Sequence, residues 1–420
     1  MEPSYRKTVL PDGLRIISES IPAVRSISIG LWVDIGSRDE PEGLEGISHF
    51  IEHMVFKGTT TRSPLEIVSH IESVGGILNA FTSRENTCFL AKVIDIHLPR
   101  AVDILTDLVF NSRFDDADIV KEKKIVIDEI NEVKDTPSDL VHDIFAESIF
   151  GKHPLGKPIL GNTKSVKSLE RRSILKYRDR NYLRPNMLVV ASGNLEHEQL
   201  VELVSKHCPK ANGSDALTLK RTSPELQAGL YVKPQKTNQT HICIGTNAIL
   251  FDDSRRAALM LLNSIIGGSM SSRLFQRIRE DLGMAYTVFS YLDFFLDASV
   301  IGVYLNTDKK YTGKVILRVF EELEKLAKYE LSHKELEDAK EQLKGSLVLG
   351  LENTSHRMNR LAKHELLVGK YISVDETIAE IDKATAEEIK VLAKELFVPD
   401  KYDITVLGPI TRKEVKDSIY

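Results

Sequence analysis

The stretch SISIGLWV at residues 26–33 returns in altered form as THICIGTN at residues 240–247. Both stretches are rich in the β-branched residues that are typical of strands. When the two are aligned, Gly30 matches Gly245, and the two glycines lie 215 positions apart. A strand that recurs after so long an interval suggests that a whole domain is repeated.

Two further pairs of segments recur at nearly the same interval. A helix-like segment that begins at Phe114 parallels one that begins at Leu331, 217 positions later. A strand, a glycine and a helix-like segment that begin at Met187 parallel those that begin at Tyr402, 215 positions later. Each similarity is weak alone, but three at nearly one interval indicate two copies of one domain.

This repeat sets the predicted domain organisation. We expect an N-terminal catalytic domain over residues 1–210 and a homologous C-terminal domain over residues 230–420, joined by a polar linker at residues 211–229. Period-2 stretches such as TCFLAKVI and ASVIGVYL predict antiparallel strands, and LPDGL at residues 10–14 predicts a turn between strands. The fold class is therefore α+β, with two homologous domains that each have an antiparallel-rich β-sheet covered by helices.

Composition limits the classes of function. A chain of 420 residues that is 42% hydrophobic and 28% charged has the composition of a soluble globular protein. Its net charge is −5 and it has no long basic run, which argues against nucleic acid as a partner. The opening residues lack an apolar signal segment, and no apolar run reaches the roughly 18 residues that span a bilayer, so we expect a cytoplasmic protein without a membrane partner. The three cysteines lie far apart, which favours neither a disulfide framework nor a thiolate zinc site.

The segment SHFIEHMVFKGT at residues 48–59 combines two histidines and a glutamate with the pattern of an amphipathic helix. Apolar residues recur around it at helical spacing, which leaves His49, Glu52 and His53 together on another face. Histidines four positions apart can bring two imidazole nitrogens to one Zn²⁺ at about 2.0–2.1 Å. Two ligands do not make a site, however, and two solvated histidines beside a glutamate remain the alternative.

A third ligand could come from a second helix. The segment VKEKKIVIDEINEV places Glu122 and Glu129 seven positions apart, which is two turns along one helix face. Ile125, Ile127 and Ile130 are expected to help form its buried side. A solvated surface helix is the other reading of so charged a segment.

H-x-x-E-H is the signature of inverzincin peptidases. With it, the chain resembles the insulinase, pitrilysin and mitochondrial processing peptidase family of zinc endopeptidases. In that family a glutamate ligand follows the second histidine by about 76 positions, and another acidic residue precedes it by seven. His53 and Glu129 are 76 positions apart here, and Glu122 lies seven before Glu129.

Two more motifs support the resemblance. GGILNAFTSRENTCF is similar to the family's G-G-x-x-N-A-x-T segment. The similarity implies that Asn79 lies near the metal-binding helix and that Ala80, Phe81 and Thr82 lie on an edge strand that receives the substrate. GGSMSSRLFQRIREDLGMAY resembles the signature of the second domain, whose arginine and tyrosine reach the active site in the closed state. In this chain these two residues are Arg277 and Tyr286.

The resemblance implies a fold and a chemistry. The fold is that of LuxS and mitochondrial processing peptidase-like metallohydrolases, with one Zn²⁺ per chain held by His49, His53 and Glu129. A fourth coordination position stays open, as in catalytic zinc sites. The implied reaction is hydrolysis of peptide bonds by a zinc-activated water, with Glu52 as the general base. Glu122 would orient the groups around the metal without binding it.

Only the first copy of the repeat can carry the metal. Glu122 and Glu129 fall opposite Ala339 and Ser346, and neither H-x-x-E-H nor H-E-x-x-H occurs after residue 210. Family members enclose peptides or unfolded polypeptides in a chamber of four such domains, in which Tyr286 and Arg277 would contact the substrate. Two domains per chain imply a second chain, which is either another copy or a homologous subunit. The short bacterial-type members of the family favour a homodimer over a heterodimer.

Other functions remain open at this point. The same fold serves as a non-catalytic structural or partner subunit of processing-peptidase-like complexes, although such subunits typically lose ligands that this chain keeps. A metal hydrolase that acts on non-peptide substrates, or a zinc-storage module, is the other alternative.

Overall fold

The computed structural model describes residues 4–208 and 220–419. Two mixed α/β units are built around two β-sheets. The first sheet has six strands in the spatial order β1-β2-β6-β3-β5-β4. These strands are β1 Ser4–Val9, β2 Arg15–Ser20, β3 Ser26–Val33, β4 Ile77–Thr82, β5 Thr87–Ile94 and β6 Met187–Gly193.

The second sheet has five strands in the order β7-β11-β8-β10-β9. Its strands are β7 Gly229–Pro234, β8 Thr240–Asn247, β9 Ala285–Phe294, β10 Ser299–Thr307 and β11 Asp403–Gly408. In each sheet one pair is parallel, β2 with β6 and β7 with β11, and the other pairs are antiparallel. The predicted antiparallel-rich sheets are therefore confirmed, as is the turn between β1 and β2.

The helices fall into two series. In the first half of the chain they are α1 Ile47–Val55, α2 Pro64–Glu72, α3 Leu98–Asn111, α4 Asp116–Asp135, α5 Pro137–Phe150, α6 Thr163–Ser168, α7 Arg171–Asn181 and α8 His197–His207. In the second half they are α9 Arg256–Gly267, α10 Thr312–Lys328, α11 His333–Gly350, α12 Thr354–Val368, α13 Val374–Lys383, α14 Ala386–Leu396 and α15 Arg412–Ile419, with a π-helix at Phe275–Asp281. Among the described helices, none is long and apolar enough to cross a membrane.

The two sheets share one topology. The order β2-β6-β3-β5-β4 of the first sheet matches β7-β11-β8-β10-β9 of the second, strand for strand. The matched glycines lie on the third strand of each of these five-strand orders, where Gly30 faces Leu90 of β5 and Gly245 faces Gly302 of β10. The structure thus confirms the repeat as two copies of one fold.

The compact units are not continuous stretches of chain, unlike the predicted bounds of 1–210 and 230–420. Helix α5, from the first half, belongs to the second unit, and most of α12, from the second half, belongs to the first. Residues 211–219 of the predicted linker 211–229 lie outside the described residues. The first unit comprises Met1–Asn131, Lys157–Arg221 and Gly350–Leu366, and the second comprises Glu132–Gly156, Thr222–Leu349 and Leu367–Tyr420.

The chemistry of the sheet faces explains this exchange of helices. In the second unit α5 contributes Val141 and Ile144 to an apolar cluster with Cys243 of β8. In the first unit α12 supplies polar partners instead, since Thr354 bonds the buried Ser28 of β3 at 2.8 Å. Buried polar groups need such partners, so each helix suits the sheet face that it covers. The first residues of α5 and α12 lie 217 positions apart, so these two helices are equivalent in the repeat.

Candidate metal centre

Helix α1 is anchored by apolar residues on the side opposite its histidines. Five of its residues are at most 1% exposed and pack into the core of the first unit: Ile47, Phe50, Ile51, Met54 and Val55. This burial fixes the rotation of the helix, so that His49, Glu52 and His53 share the other side. The imidazole rings of His49 and His53 have centroids 4.5 Å apart and planes at 62°.

Helix α4 brings a carboxylate to the two imidazoles. The Oε2 atom of Glu129 lies 3.4 Å from Nε2 of His53 and 3.9 Å from Nε2 of His49. The donor atoms of the three side chains all lie within 4.8 Å of one another. No other group of three histidine, cysteine or acidic side chains is this close within residues 4–208 and 220–419.

The buried side of α4 contains Ile130 and the partly buried Ile127, as expected, but not Ile125. Ile125, expected on the buried side, is 43% exposed, whereas its neighbour Val126 is fully buried. Ile130 is buried, as expected, and Glu122 joins the buried side at 2% exposure. The buried carboxylate of Glu122 contacts His53.

The donor set fits zinc. Two imidazole nitrogens and one carboxylate oxygen are ligands that catalytic zinc sites use. Tetrahedral coordination at about 2.0–2.2 Å requires ligand atoms about 3.3–3.6 Å apart. The 3.4 Å and 3.9 Å separations of Glu129 from the two histidines lie at this spacing or slightly beyond it. Small side-chain adjustments would therefore suffice to hold the ion.

The surroundings of His49 favour its neutral form. Burial, and then the neighbouring His53, lower the pKa of His49 to about 4. Burial also lowers the pKa of His53, but the hydrogen bond to Glu122 and the charge of Glu129 outweigh it and leave that pKa raised. A neutral imidazole offers the lone pair that a metal needs, so His49 is ready to bind at neutral pH.

Glu122 contacts Nδ1 of His53, whereas Glu129 lies near Nε2 of the same ring. Its Oε1 atom lies 2.8 Å from Nδ1 of His53, and its Oε2 atom lies 2.8 Å from Nζ of Lys57. When Nδ1 donates to the carboxylate, Nε2 is left as the acceptor on the side of Glu129. Burial raises the pKa of Glu122, but His53 and Lys57 lower it by more. Lys57 was missed by the sequence reasoning; it lies in the turn that follows α1, four residues after His53.

Glu52 is tied to the edge strand β4. Its Oε2 atom accepts a hydrogen bond from the Thr82 hydroxyl at 2.6 Å. Burial raises the pKa of Glu52. Among the described residues, β4 pairs only with β5 and ends its sheet, so Ala80, Phe81 and Thr82 do lie on an edge strand. Asn79 lies on the same strand, which packs against α1, and its Oδ1 accepts the N–H of Ala80 at 2.8 Å.

Arg277 and Tyr286 belong to the second unit. Arg277 lies in the π-helix, where its Nη1 is 3.3 Å from Oδ2 of Asp281. Tyr286, the second residue of β9, is 72% exposed, and the guanidinium of Arg279 lies 5.1 Å from its ring centroid. The proposed reach of Arg277 and Tyr286 to the metal residues stays a prediction.

The described geometry is a His-His-Glu cluster that could hold a metal ion, with a glutamate one turn from His49, on an α+β fold present in two copies. Comparison with known families agrees. The family described as insulinase (peptidase family M16) matches residues 15–163, and the family described as peptidase M16 inactive domain matches residues 168–343.

Individual relatives extend over nearly the whole chain. The uncharacterized zinc protease YmxG of Bacillus subtilis is 39% identical over 95% of this chain and 97% of its own. An uncharacterized zinc protease of Streptomyces coelicolor is 38% identical over 98% of this chain and 91% of its own. The crystal structure of a protease from Helicobacter pylori has the same fold, with a TM-score of 0.91 at 20% identity, over 97% of this chain and 100% of that one. The chain therefore belongs to the insulinase family of peptidases.

Proposed function

We propose that the protein is a zinc metalloendopeptidase that hydrolyses peptides or unfolded polypeptides. The observation that carries the proposal is the convergence of donor atoms from His49, His53 and Glu129 within 4.8 Å of one another. Glu52 lies beside them on α1, the helix of the two histidines. Membership of the insulinase family and the zinc protease names of its relatives support a zinc metallopeptidase role.

Three side chains would hold one zinc per chain: His49, His53 and Glu129. When bound there, the metal supplies Lewis-acid activation of a water and of the scissile carbonyl. Glu52 accepts the proton of the attacking water and passes it to the leaving amine. The pKa of Glu52 is raised toward neutral pH, and a general base is most effective when its pKa is near the working pH. The hydroxyl of Thr82 holds one carboxylate oxygen of Glu52 and so limits its rotation.

The edge strand β4 offers a way to hold an extended peptide. An extended segment can add to an open sheet edge through backbone hydrogen bonds, which bind a chain without strong side-chain preference. Ala80, Phe81 and Thr82 would supply this edge, and Thr82 joins it directly to Glu52. Asn79 touches the backbone of the same strand at Ala80 and would help to shape it.

In this proposal the second half of the chain helps to enclose the substrate and stabilises the charge that develops on it. The residue opposite Glu129 in the repeat is Ser346, so the second unit would act without a metal of its own. Arg277 and Tyr286 would bind the substrate or the developing oxyanion when the units close. A second chain, either a copy or a homologous subunit, would complete the chamber.

The test is cleavage of an unfolded polypeptide, followed by mass spectrometry of the fragments. Purified protein should cut the unfolded chain, lose this activity on treatment with a zinc chelator and regain it with added zinc. A compact, folded form of the same substrate should be spared. Protein that binds zinc but cuts no peptide would instead support the non-catalytic subunit.

A further inference from the structure

The helix that carries the proposed zinc ligands has no side-chain cap of its own. Gly46 occupies the position before the first residue of α1, and it has no side chain to accept a hydrogen bond from the first turn. The first turn of a helix exposes N–H groups that need acceptors, particularly when that turn is buried. Ile47 and Ser48, the first two residues of α1, are both fully buried.

Steric contacts explain why a capping side chain cannot stand at position 46. Gly46 has a φ of +89°, a conformation that other residues rarely adopt. A Cβ atom on it would lie 2.5 Å from the carbonyl oxygen of Leu160. The chain segments around Gly46 and Gly161 lie too close together for side chains at these positions. A Cβ atom on Gly161 would in turn lie 2.2 Å from the carbonyl oxygen of Glu45. The cap must therefore come from elsewhere in the chain.

Glu40 provides it. Its Oε2 atom accepts the N–H of Gly46 at 2.7 Å, and its Oε1 atom accepts the N–H of Ser48 at 2.8 Å. The residue is 6% exposed, and burial raises its pKa to about 8 although both N–H groups favour the anion. Ser48 makes a second contact, since its hydroxyl lies 3.0 Å from the hydroxyl of Tyr177 on α7.

The held turn leads directly into the proposed active site. His49 follows Ser48, and Glu52 and His53 lie one turn further along the same helix. A helix of nine residues has little length over which to absorb a disturbance at its start. We propose that Glu40 is a positioning residue, which fixes the first turn of α1 and thereby sets the relative placement of His49, His53 and Glu52. This inference rests on the proposed function, since it concerns the ligands of the same zinc.

The test compares full-length Glu40→Gln with wild type. Glutamine keeps the shape but turns one acceptor into a donor that faces an N–H group. We expect an unchanged helix content by circular dichroism, together with zinc binding weakened by about 3- to 30-fold, the range expected for loss of a helix cap. The visible absorption spectrum of the cobalt-substituted protein should change as well, because it reports the arrangement of the ligands.

Glu42→Gln is the matched control, since Glu42 lies two residues away and is exposed. It should leave zinc affinity and the cobalt spectrum as in wild type. Glu40→Asp keeps the carboxyl group on a shorter stem and should give an intermediate zinc affinity. If Glu40→Gln fails to fold, Glu40→Asp decides by the same two measurements.

Wild-type zinc affinity and an unaltered cobalt spectrum in the folded Glu40 variant would overturn the inference. Failure of the proposed function gives a different result. In that case wild-type protein binds no zinc, or binds zinc that His53→Ala does not remove. The inference falls in that case too, since there would be no ligands to position.

Discussion

Glu122 lies behind His53, with Oε1 of the glutamate 2.8 Å from Nδ1 of the imidazole. A carboxylate in this position fixes the ring and raises its basicity as a ligand. We therefore expect Glu122→Gln to weaken zinc binding by roughly 10- to 100-fold, because a neutral amide loses both the charge and the pairing with Lys57. Competition with a chromogenic chelator measures the change.

Glu132→Gln is the control for this variant, because Glu132 is an exposed residue on the same helix. It should bind zinc as wild type does. Equal affinities for Glu122→Gln and Glu132→Gln would show that the contact between Glu122 and His53 has no part in binding the metal.

Glu52 separates metal binding from chemistry. Glu52→Gln keeps the shape of the side chain and removes no proposed ligand, so the variant should retain its zinc. Loss of the general base should lower turnover by about 10²- to 10⁴-fold. Zinc content and peptidase rate are measured on the same sample, and near-normal turnover would remove Glu52 from the mechanism.

Glu365 tests the packing of α12 on the first sheet. Its carboxylate is only 3% exposed and lies 2.7 Å from Nζ of Lys7 and 3.3 Å from Nη1 of Arg15. Glu365→Gln should destabilise the first unit by on the order of 1–3 kcal/mol, because two cations lose their charged partner. The midpoint of chemical unfolding gives the change, with the exposed Glu352→Gln as control. An unshifted midpoint in Glu365→Gln would mean that α12 does not depend on these contacts.

The exchange of α5 and α12 was the main feature that the sequence did not reveal. Strand patterns and the spacing of Gly30 and Gly245 were enough to predict two copies of one fold. Which sheet a helix covers depends on tertiary contacts between distant residues, such as Ser28 with Thr354, and periodicity carries no information about these. Equivalent helices also look alike in a repeat, so nothing local indicates that they have changed places.

The candidate site was more predictable than its supports. The ligands follow from a motif of fixed spacing, and their convergence needs only two helices with the right buried sides. Glu40 and Lys57 act through contacts that the fold creates, a cap six residues upstream of Gly46 and an ion pair between the turn after α1 and helix α4. Single charged residues of this kind resemble ordinary surface charges until the structure shows that their partners are buried.

Asp403 should make the second unit sensitive to pH. It is 2% exposed on β11, where it accepts hydrogen bonds from Ser148 at 2.5 Å and Thr405 at 2.8 Å, and burial raises its pKa to about 6. A raised acid pKa contributes stability that is fully present below about pH 4 and is lost as the pH rises through 6. The loss should amount to about 2–3 kcal/mol, since each pKa unit corresponds to about 1.4 kcal/mol.

Asp403→Asn removes this titration. Its free energy of unfolding relative to wild type should therefore improve by about 2 kcal/mol between pH 4.5 and pH 7.5, because part of the loss in wild type has already occurred at pH 4.5. Unfolding midpoints at the two pH values give the comparison, and the exposed Asp400→Asn should follow wild type at both. A pH dependence in Asp403→Asn equal to that of wild type would contradict the assignment.

The zinc content of the purified protein tests the central claim most directly. His49, His53 and Glu129 are proposed to hold one ion, so elemental analysis should find about one zinc per chain in wild type. Glu129→Gln should lose most of it, because two histidines alone make a weak site, and Glu132→Gln should keep it. Full zinc occupancy in Glu129→Gln, or wild-type protein that binds no zinc, would contradict the account.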